Sequence, residues 1–411
     1  MKICVVGLGY VGLPLAVLFA DNGYDVIGVD INQNVVNSVT EGNAPTHELG
    51  LEEKLKSAVN SGRLTAKIKP EKADVFILAV PTPITNKKQA DLTFVKKAAE
   101  SILPFIEKGN IIILESTVPP GTTEEVIGNL LKEKGIKDVF LAHCPERILP
   151  GNALKELVEN SRIIGGTTAE ASERVKDLYK SFVEGEIFVT DAKTAEFIKL
   201  MENTYRDVNI AFANELAVIS KKIGVNIREA IEIANKHPRV NIHHPGPGVG
   251  GHCIAVDPWF IVEKAQDLAK IIALARETND AMPSIVVDMI TMLVKNIKNP
   301  TVTILGVAYK ADIDDARETP AKKIVGLLKE KGYSIKVYDP HVKYFPYQLT
   351  ENLEGALHDS DCIVLVTDHS AFKNLNPDEV KNILRTKNIV DTRSCLDKNL
   401  WKKAGFNIET I

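Results

Sequence analysis

The sequence predicts an α/β protein: two doubly wound parallel-sheet domains joined by a long central helix and a helical middle region. Three observations carry this expectation. Short apolar runs alternate with helical patterns in the first and last thirds of the chain, which is the order of successive βα units. The stretch from Lys193 to Lys222 contains neither Pro nor Gly. Between these regions lies a Gly- and Pro-rich loop, Pro245 to Trp259, reading PGPGVGGHCIAVDPW. The expected boundaries are 1–190, 191–298 and 299–411.

The first element is a strand, Lys2 to Val6, followed at once by Gly7-Leu-Gly9-Tyr10-Val11-Gly12 and an apolar helix from Leu13 to Ala20. This strand–GxGxxG–helix order is what a dinucleotide site of Rossmann type requires. Gly7 makes the turn, Gly9 lets the backbone approach a pyrophosphate, and Gly12 allows close helix–strand packing. The pyrophosphate sits on the free N–H groups of the helix N-terminus. A second strand, Asp25 to Asp30, ends in an acid placed to take a ribose 2′-hydroxyl. The following Ile31-Asn32-Gln33 offers no cation for a 2′-phosphate, so the expected cofactor is NAD.

Further strands follow at Asp74–Val80, Asn110–Leu114 and Val139–His143, with Arg162–Gly165 and Glu186–Val189 extending the sheet. Ligand loops in open parallel sheets lie at the carboxyl ends of strands. Thr82, Thr117 and Glu146 therefore fall on the rim that carries the glycine loop. In the middle region, Ala195, Ile198, Met201 and Tyr205 recur on one helix face, and Glu196, Lys199 and Asn203 form a polar row. Helices are also expected at Asn226–Ala234 and from about Leu268 to Asn296.

The last third repeats the opening: a strand Thr301–Gly306, a helix Pro320–Lys331 and a strand Tyr333–Asp339 ending in an acid, without the GxGxxG. Strands at Cys362–Thr367 and Asn388–Arg393 complete a second Rossmann-like domain. Lys310, Arg317 and Arg393 lie at or just after strand ends, where a cation can hold phosphate.

The Gly/Pro loop is where chemistry is expected. Gly250 and Gly251 directly precede His252 and Cys253, so the backbone can bring a thiol close to a bound molecule. Asp257 follows four residues later, on the same face of any helix starting near the cysteine.

Composition narrows the function classes. Hydrophobic residues make up 45% and charged residues 25% of the 411, as in an ordinary globular protein. A net charge of −4 argues against nucleic acid as a partner. The five cysteines (Cys4, Cys144, Cys253, Cys362, Cys395) show no CxxC, so reduced thiols in a cytoplasmic protein are expected, with no metal site. No apolar run approaches a membrane span, and no signal peptide is seen.

Taken together, GLGYVG, ESTVPPGTT, PERILPG, the Glu196/Lys199/Asn203 row, GGHCIAVD and GVAYKADIDDARETP resemble the UDP-glucose/GDP-mannose dehydrogenase family across essentially the whole chain. The resemblance implies oxidation of a nucleotide-sugar primary alcohol to a carboxylate with two NAD. Residue chemistry fits: a thiolate can add to an aldehyde, and oxidation of the thiohemiacetal gives a thioester that water releases. Cys253 is then the nucleophile, an activated thiol with Lys199 as the neighbouring cation.

By resemblance, Lys199 and Asn203 stabilise the oxyanion, Asp257 and Glu146 orient or deprotonate water, and Thr117 positions it. Gly7, Gly9, Tyr10, Val11, Gly12, Asp30, Thr82 and Thr117 hold NAD, with Arg317 approaching it across a domain cleft that closes. Glu146, Arg147, Lys199, Asn203, Gly250, Lys310 and Arg393 face the UDP-sugar, and Arg239 reaches a neighbouring subunit of a homodimer or dimer-based homotetramer.

The chain departs from the UDP-glucose branch at Arg147, where that branch carries Phe, and at Val256, where it carries Lys. PER-x-LPG with GGHC-I resembles the branch acting on UDP-N-acetylamino sugars, particularly UDP-N-acetylmannosamine. UDP-N-acetylglucosamine and then UDP-glucose remain alternatives. Two other classes compete: a single-hydride dehydrogenase, which needs neither Cys253 nor the second α/β domain, and a nucleotide-sugar sensor, which has no use for the thiol.

Overall fold

The computed structural model describes residues 1–46, 48–149 and 151–411. Pro150 of the PERILPG stretch lies outside the described residues. The chain divides into two compact units: Met1–Glu202 with Trp259–Gln266, and Asn203–Pro258 with Asp267–Ile411.

Among the described residues the first unit holds eight strands: β1 (Lys2–Val6), β2 (Asp25–Val29), β3 (Leu64–Lys67), β4 (Val75–Leu78), β5 (Ile111–Leu114), β6 (Phe140–His143), β7 (Arg162–Gly166) and β8 (Ile187–Asp191). Their spatial order is β3-β2-β1-β4-β5-β6-β7-β8. The first six reproduce the doubly wound dinucleotide order. The central strands β4 and β5 are wholly buried, as expected for strands covered by helices on both faces. Alternate residues of β1 feed opposite layers, Ile3 and Val5 into one and Cys4 and Val6 into the other. The sheet departs from the all-parallel expectation at one junction: β7 runs antiparallel to β6, pairing Ala142 with Gly166 and His143 with Gly165.

The second unit holds β9 (Thr301–Leu305), β10 (Ser334–Tyr338), β11 (Cys362–Leu365), β12 (Asn388–Asp391) and β13 (Asn407–Thr410), in the order β10-β9-β11-β12-β13. All four pairings are parallel. The strand order reverses between β9 and β11, so their carboxyl ends form the crevice in which open α/β sheets bind ligands.

The central helix runs from Ala192 to Ile223 without a break. It buries the polar row and exposes much of the apolar one: Glu196, Lys199 and Asn203 are buried, while Met201 and Tyr205 are exposed. A second long helix, Lys270–Val294, contains Pro283. Proline has no N–H, so it cannot donate to the Asn279 carbonyl four residues earlier. Gly248 packs there with φ +124°, its missing Cβ only 3.1 Å from that carbonyl oxygen.

Candidate active site

In the first unit the glycine loop has the shape that its three glycines predict. A Cβ on Gly7 would stand 2.3 Å from the Ala79 carbonyl oxygen, and one on Gly12 would stand 1.8 Å from that of Gly7. Neither position can carry a side chain. Gly9 is different: it is exposed and faces open space, which is where a ligand can approach the backbone. The helix Gly12–Asp21 follows with Val11 as its N-cap. Asp30 Oδ2 accepts from the Leu8 amide at 3.0 Å and Oδ1 from the Asn32 amide at 2.9 Å. These bonds hold the acid at the strand end while leaving lone pairs on both oxygens. The donors, the open backbone at Gly9 and the acid at Asp30 fit a dinucleotide.

The rim loops of this unit are tied together. Thr82 Oγ1 donates to the Thr117 carbonyl at 2.7 Å. Ser116 Oγ accepts from the Val80 amide at 2.9 Å and donates to the Val80 carbonyl at 2.7 Å. Glu196 accepts from the Gly121 amide, from the Thr123 amide at 2.7 Å and from Thr123 Oγ1 at 2.6 Å. Glu196 thus anchors the ESTVPPGTT loop to the central helix. Burial pushes its carboxyl above the ordinary range, against the opposing hydrogen bonds from Thr123.

Lys199 and Glu146 form a buried pair. Lys199 Nζ lies 2.9 Å from Glu146 Oε1 and donates to the Glu146 carbonyl at 2.8 Å. Arg147 turns inward: it pairs with Glu202 and donates to Ser161 Oγ at 2.7 Å. Its guanidinium braces the loop after β6, a contact the sequence reading did not foresee.

Behind these loops lies a second network that sequence reasoning missed. Arg162 pairs with Glu115, donates from Nε to Cys144 Sγ at 3.1 Å, and stacks 4.2 Å from the Tyr179 ring centroid. Tyr179 donates to Glu115 Oε2 at 3.2 Å. Burial pushes Glu115 up, opposed by Arg162. The available signal was Glu115 itself, an acid directly after a wholly apolar strand.

In the second unit the Gly/Pro loop is held from several sides. The Gly246 amide donates to Asn214 Oδ1 at 2.8 Å, and Asn214 Nδ2 donates to Asn279 Oδ1 at 2.8 Å. Asn279 Nδ2 donates to Asp207 Oδ1 at 2.8 Å, and Asp207 pairs with buried Arg276. The Gly251 amide donates to the Arg317 carbonyl at 3.0 Å. A Cβ on Gly250 would stand 2.8 Å from Tyr309 Cβ and 3.0 Å from the Glu318 carbonyl oxygen.

The loop ends in a turn on which Cys253 is exposed. The Cys253 carbonyl accepts from the Val256 amide at 3.0 Å and the Asp257 amide at 2.8 Å. The helix Asp257–Lys264 starts from that turn, so Asp257 follows the thiol by one helical turn, as the spacing predicts. Asn203 Nδ2 donates to Asp257 Oδ2 at 2.6 Å. Burial and the nearby Arg317 charge lower the tendency of His252 to protonate.

The outlying cations divide. Arg239 and Lys310 are exposed. Arg317 binds its own Asp315, with Nη2 2.6 Å from Oδ2. Arg393 donates from Nε to the Val366 carbonyl at 3.0 Å, and a Cβ on Gly246 would meet its Nη1 at 2.8 Å. Arg393 therefore lies beneath the Gly/Pro loop.

Comparison with known proteins matches three family domains to the chain. Residues 1–183 match the NAD binding domain of the UDP-glucose/GDP-mannose dehydrogenase family, 193–281 its central domain and 303–398 its UDP binding domain. A chain from Methanococcus vannielii named UDP-N-acetyl-D-mannosamine dehydrogenase is 53% identical over 100% of this chain and 96% of its own length. The solved structure of a UDP-D-ManNAc dehydrogenase from Pyrococcus horikoshii superimposes with a TM-score of 0.95 at 40% identity, covering 100% of this chain and 99% of that one. The UDP-N-acetyl-mannosamine dehydrogenase Cap5O from Staphylococcus aureus gives a TM-score of 0.90 at 45% identity, covering 100% and 97%.

Proposed function

The chain belongs to the UDP-glucose/GDP-mannose dehydrogenase family, and from that membership we propose a specific reaction. It is the four-electron oxidation of the C6 alcohol of UDP-N-acetyl-D-mannosamine to UDP-N-acetyl-D-mannosaminuronate. The chain is an NAD-dependent UDP-sugar oxidoreductase. The observation that carries the choice of sugar is full-length identity to chains named for it.

When bound, NAD accepts a hydride from C6, and this happens twice per turnover. Cys253 makes the second transfer possible. Its thiolate forms a C–S bond to the aldehyde carbon, and the oxygen takes a proton to give a thiohemiacetal. Loss of a hydride and the hydroxyl proton leaves a thioester. Water then adds to the carbonyl, the C–S bond breaks, and the carboxylate and a regenerated thiolate separate. Lys199 and Asn203 stabilise the oxyanion at each tetrahedral stage. Asp257 and Glu146 orient or deprotonate the water, and Thr117 positions it.

We assign 1–190 to NAD, 191–298 to dimerisation and the catalytic loop, and 299–411 to the UDP-sugar. Gly7, Gly9, Tyr10, Val11, Gly12, Asp30, Thr82 and Thr117 hold the cofactor, with Arg317 completing that site. Gly250, Lys310 and Arg393 serve the UDP-sugar. Arg147 acts by bracing the loop that presents Glu146, which its bond to Ser161 supports.

We further assign a homodimer, or a homotetramer built from it, with Arg239 reaching the partner subunit. The support is an apolar stripe on the central helix. Phe197, Met201, Tyr205, Phe212, Ile219 and Ile223 are each 42–66% exposed. At about 100° per residue they fall within an arc of about 80°. Among the described residues no helix is long and apolar enough to cross a membrane. Five scattered cysteines without a CxxC spacing support a cytoplasmic protein.

The test counts NADH per mole of UDP-N-acetylmannosamine, UDP-N-acetylglucosamine and UDP-glucose, for wild type and Cys253→Ser. Two NADH from the mannosamine sugar, lost in the variant, is the expected result. Two from another sugar alone overturns the substrate. One NADH with Cys253→Ser unaffected overturns the thioester.

A further inference from the structure

The carboxyl ends of β9, β10 and β11 carry a side-chain cluster that the dehydrogenase chemistry does not use. Asp312 lies on the loop after β9, His341 just beyond β10 and His369 just beyond β11. One ligand atom from each lies within 4.8 Å of the others. His341 Nε2 stands 3.6 Å and His369 Nδ1 3.7 Å from Asp312 Oδ1. Tetrahedral ligands about 2.0–2.1 Å from a zinc ion stand roughly 3.3 Å apart, so the cluster is close to that spacing.

The surroundings orient each ligand. His369 is fully buried, and its Nε2 lies 3.0 Å from Asp339 Oδ2. Asp339 accepts from the amides of Val307, Ala308, His341 and Val342. The Asp312 amide donates to His369 Nδ1 at 2.9 Å, so Nδ1 carries the lone pair and the proton resides on Nε2, facing Asp339. That lone pair faces Asp312, whose Oδ1 lies 3.7 Å from Nδ1. A carboxylate behind an imidazole is the outer-shell arrangement that fixes tautomer and ring direction in metal sites. Asp312 is held in turn, its carboxylate accepting from the Ser370 amide at 2.9 Å and from Ser370 Oγ at 2.6 Å.

We propose that Asp312, His341 and His369 form a binding site for a divalent transition-metal ion of the zinc class, with Asp339 as the outer-shell partner of His369. Two imidazoles and one carboxylate are a donor set suited to such an ion, with water in the remaining position. Binding replaces one hydrogen bond, that from the Asp312 amide to His369 Nδ1 at 2.9 Å. Asp312 sits at φ +59°, a left-handed conformation that Asp enters more readily than most residues. The ligands are 29 and 28 residues apart in sequence, which is why no short motif announces them. A bound ion would tie together three loops of this domain, including the one that carries Lys310 and Arg317.

The test is a Zn2+ titration of the untagged, chelator-stripped full chain, with Co2+ absorption as the geometric readout. Cys253→Ser serves as background, because the exposed thiol is a competing zinc ligand. One equivalent should bind, with Co2+ bands of a site lacking thiolate. His341→Ala and Asp312→Asn should each weaken binding by about tenfold or more, as loss of a ligand must exceed the 10–100-fold range of outer-shell losses at its lower end. His341 is exposed, so its variant is expected to fold. No stoichiometric binding, binding that survives both substitutions, or binding seen in wild type and lost in Cys253→Ser would each overturn the site.

Discussion

Asn203 and Asp257 stand 54 residues apart in the chain, yet the Asn203 amide donates to Asp257 Oδ2 at 2.6 Å between two buried side chains. The contact uses one of two Asn203 N–H donors, leaving the other for a developing oxyanion. It also fixes the direction of the Asp257 carboxylate. The pair can therefore serve two stages of one reaction: the amide when the tetrahedral oxygen is charged, and the carboxylate when water must lose a proton.

The first prediction follows from that division. Asp257→Asn keeps the size of the side chain and removes its capacity as a base. Turnover should fall by about 10²–10⁴. Quenched enzyme should carry the sugar as a thioester on Cys253, visible by intact mass. Unchanged turnover would remove Asp257 from the hydrolytic step.

Lys199 is predicted to favour the Cys253 thiolate. Lys199→Ala should slow alkylation of Cys253 by iodoacetamide at neutral pH by about tenfold. An unchanged rate would show that the thiol is activated by something else. Because the same substitution leaves Glu146 without its cation, circular dichroism should be compared before the rates are read.

Gly250→Ala tests the packing of the loop independently of its chemistry. The new Cβ would meet Tyr309 Cβ at 2.8 Å and the Glu318 carbonyl oxygen at 3.0 Å. Backbone cannot yield cheaply, so a loss of about 1–3 kcal/mol in stability is expected. Thermal unfolding measures it. A variant as stable as wild type, with full turnover, would mean that the loop can shift without consequence.

A fourth prediction concerns pH. Burial holds the His143 imidazole at about 3 instead of 6.5. Between those values the unfolded chain takes up a proton that the folded chain refuses. The stability associated with this residue is therefore present above pH 6.5 and lost as pH falls towards 3. Replacing His143 by Leu removes the titration, so the urea midpoint should decline less steeply with acid than in wild type. Parallel curves would refute the assignment.

The fifth concerns assembly. Met201→Lys or Phe212→Asp places a charge in the exposed stripe of the central helix. If that stripe is the subunit interface, sedimentation velocity should show dissociation towards a monomer. Retention of the wild-type species in both variants would move the interface elsewhere.

Some of this protein is determined by local sequence alone. Gly7, Gly9 and Gly12 between a strand and a helix leave few backbone choices, and the apolar runs of β4 and β5 can only be buried strands. The 32-residue helix Ala192–Ile223 follows from the absence of Pro and Gly. The thiol on its glycine loop and Asp257 one turn later are likewise set by spacing. Two edge strands, β3 and β13, were not foreseen, for a physical reason. Leu64–Lys67 and Asn407–Thr410 each have one fully buried residue, so neither needs an apolar run.

What only the tertiary structure decided is which side chains face inward and what they meet there. The polar row of the central helix is buried because Glu196 finds the Gly121 and Thr123 amides and Lys199 finds Glu146. Helical periodicity places three residues on one face but cannot say whether that face meets solvent or unsatisfied backbone donors. Arg147 and Arg393 show the same limit. Each meets a group of its own chain that is distant in sequence, Glu202 for Arg147 and the Val366 carbonyl for Arg393. Hydrogen bonds between residues distant in sequence carry no local signature, so the partners of a buried charge emerge only when the chain has folded around it.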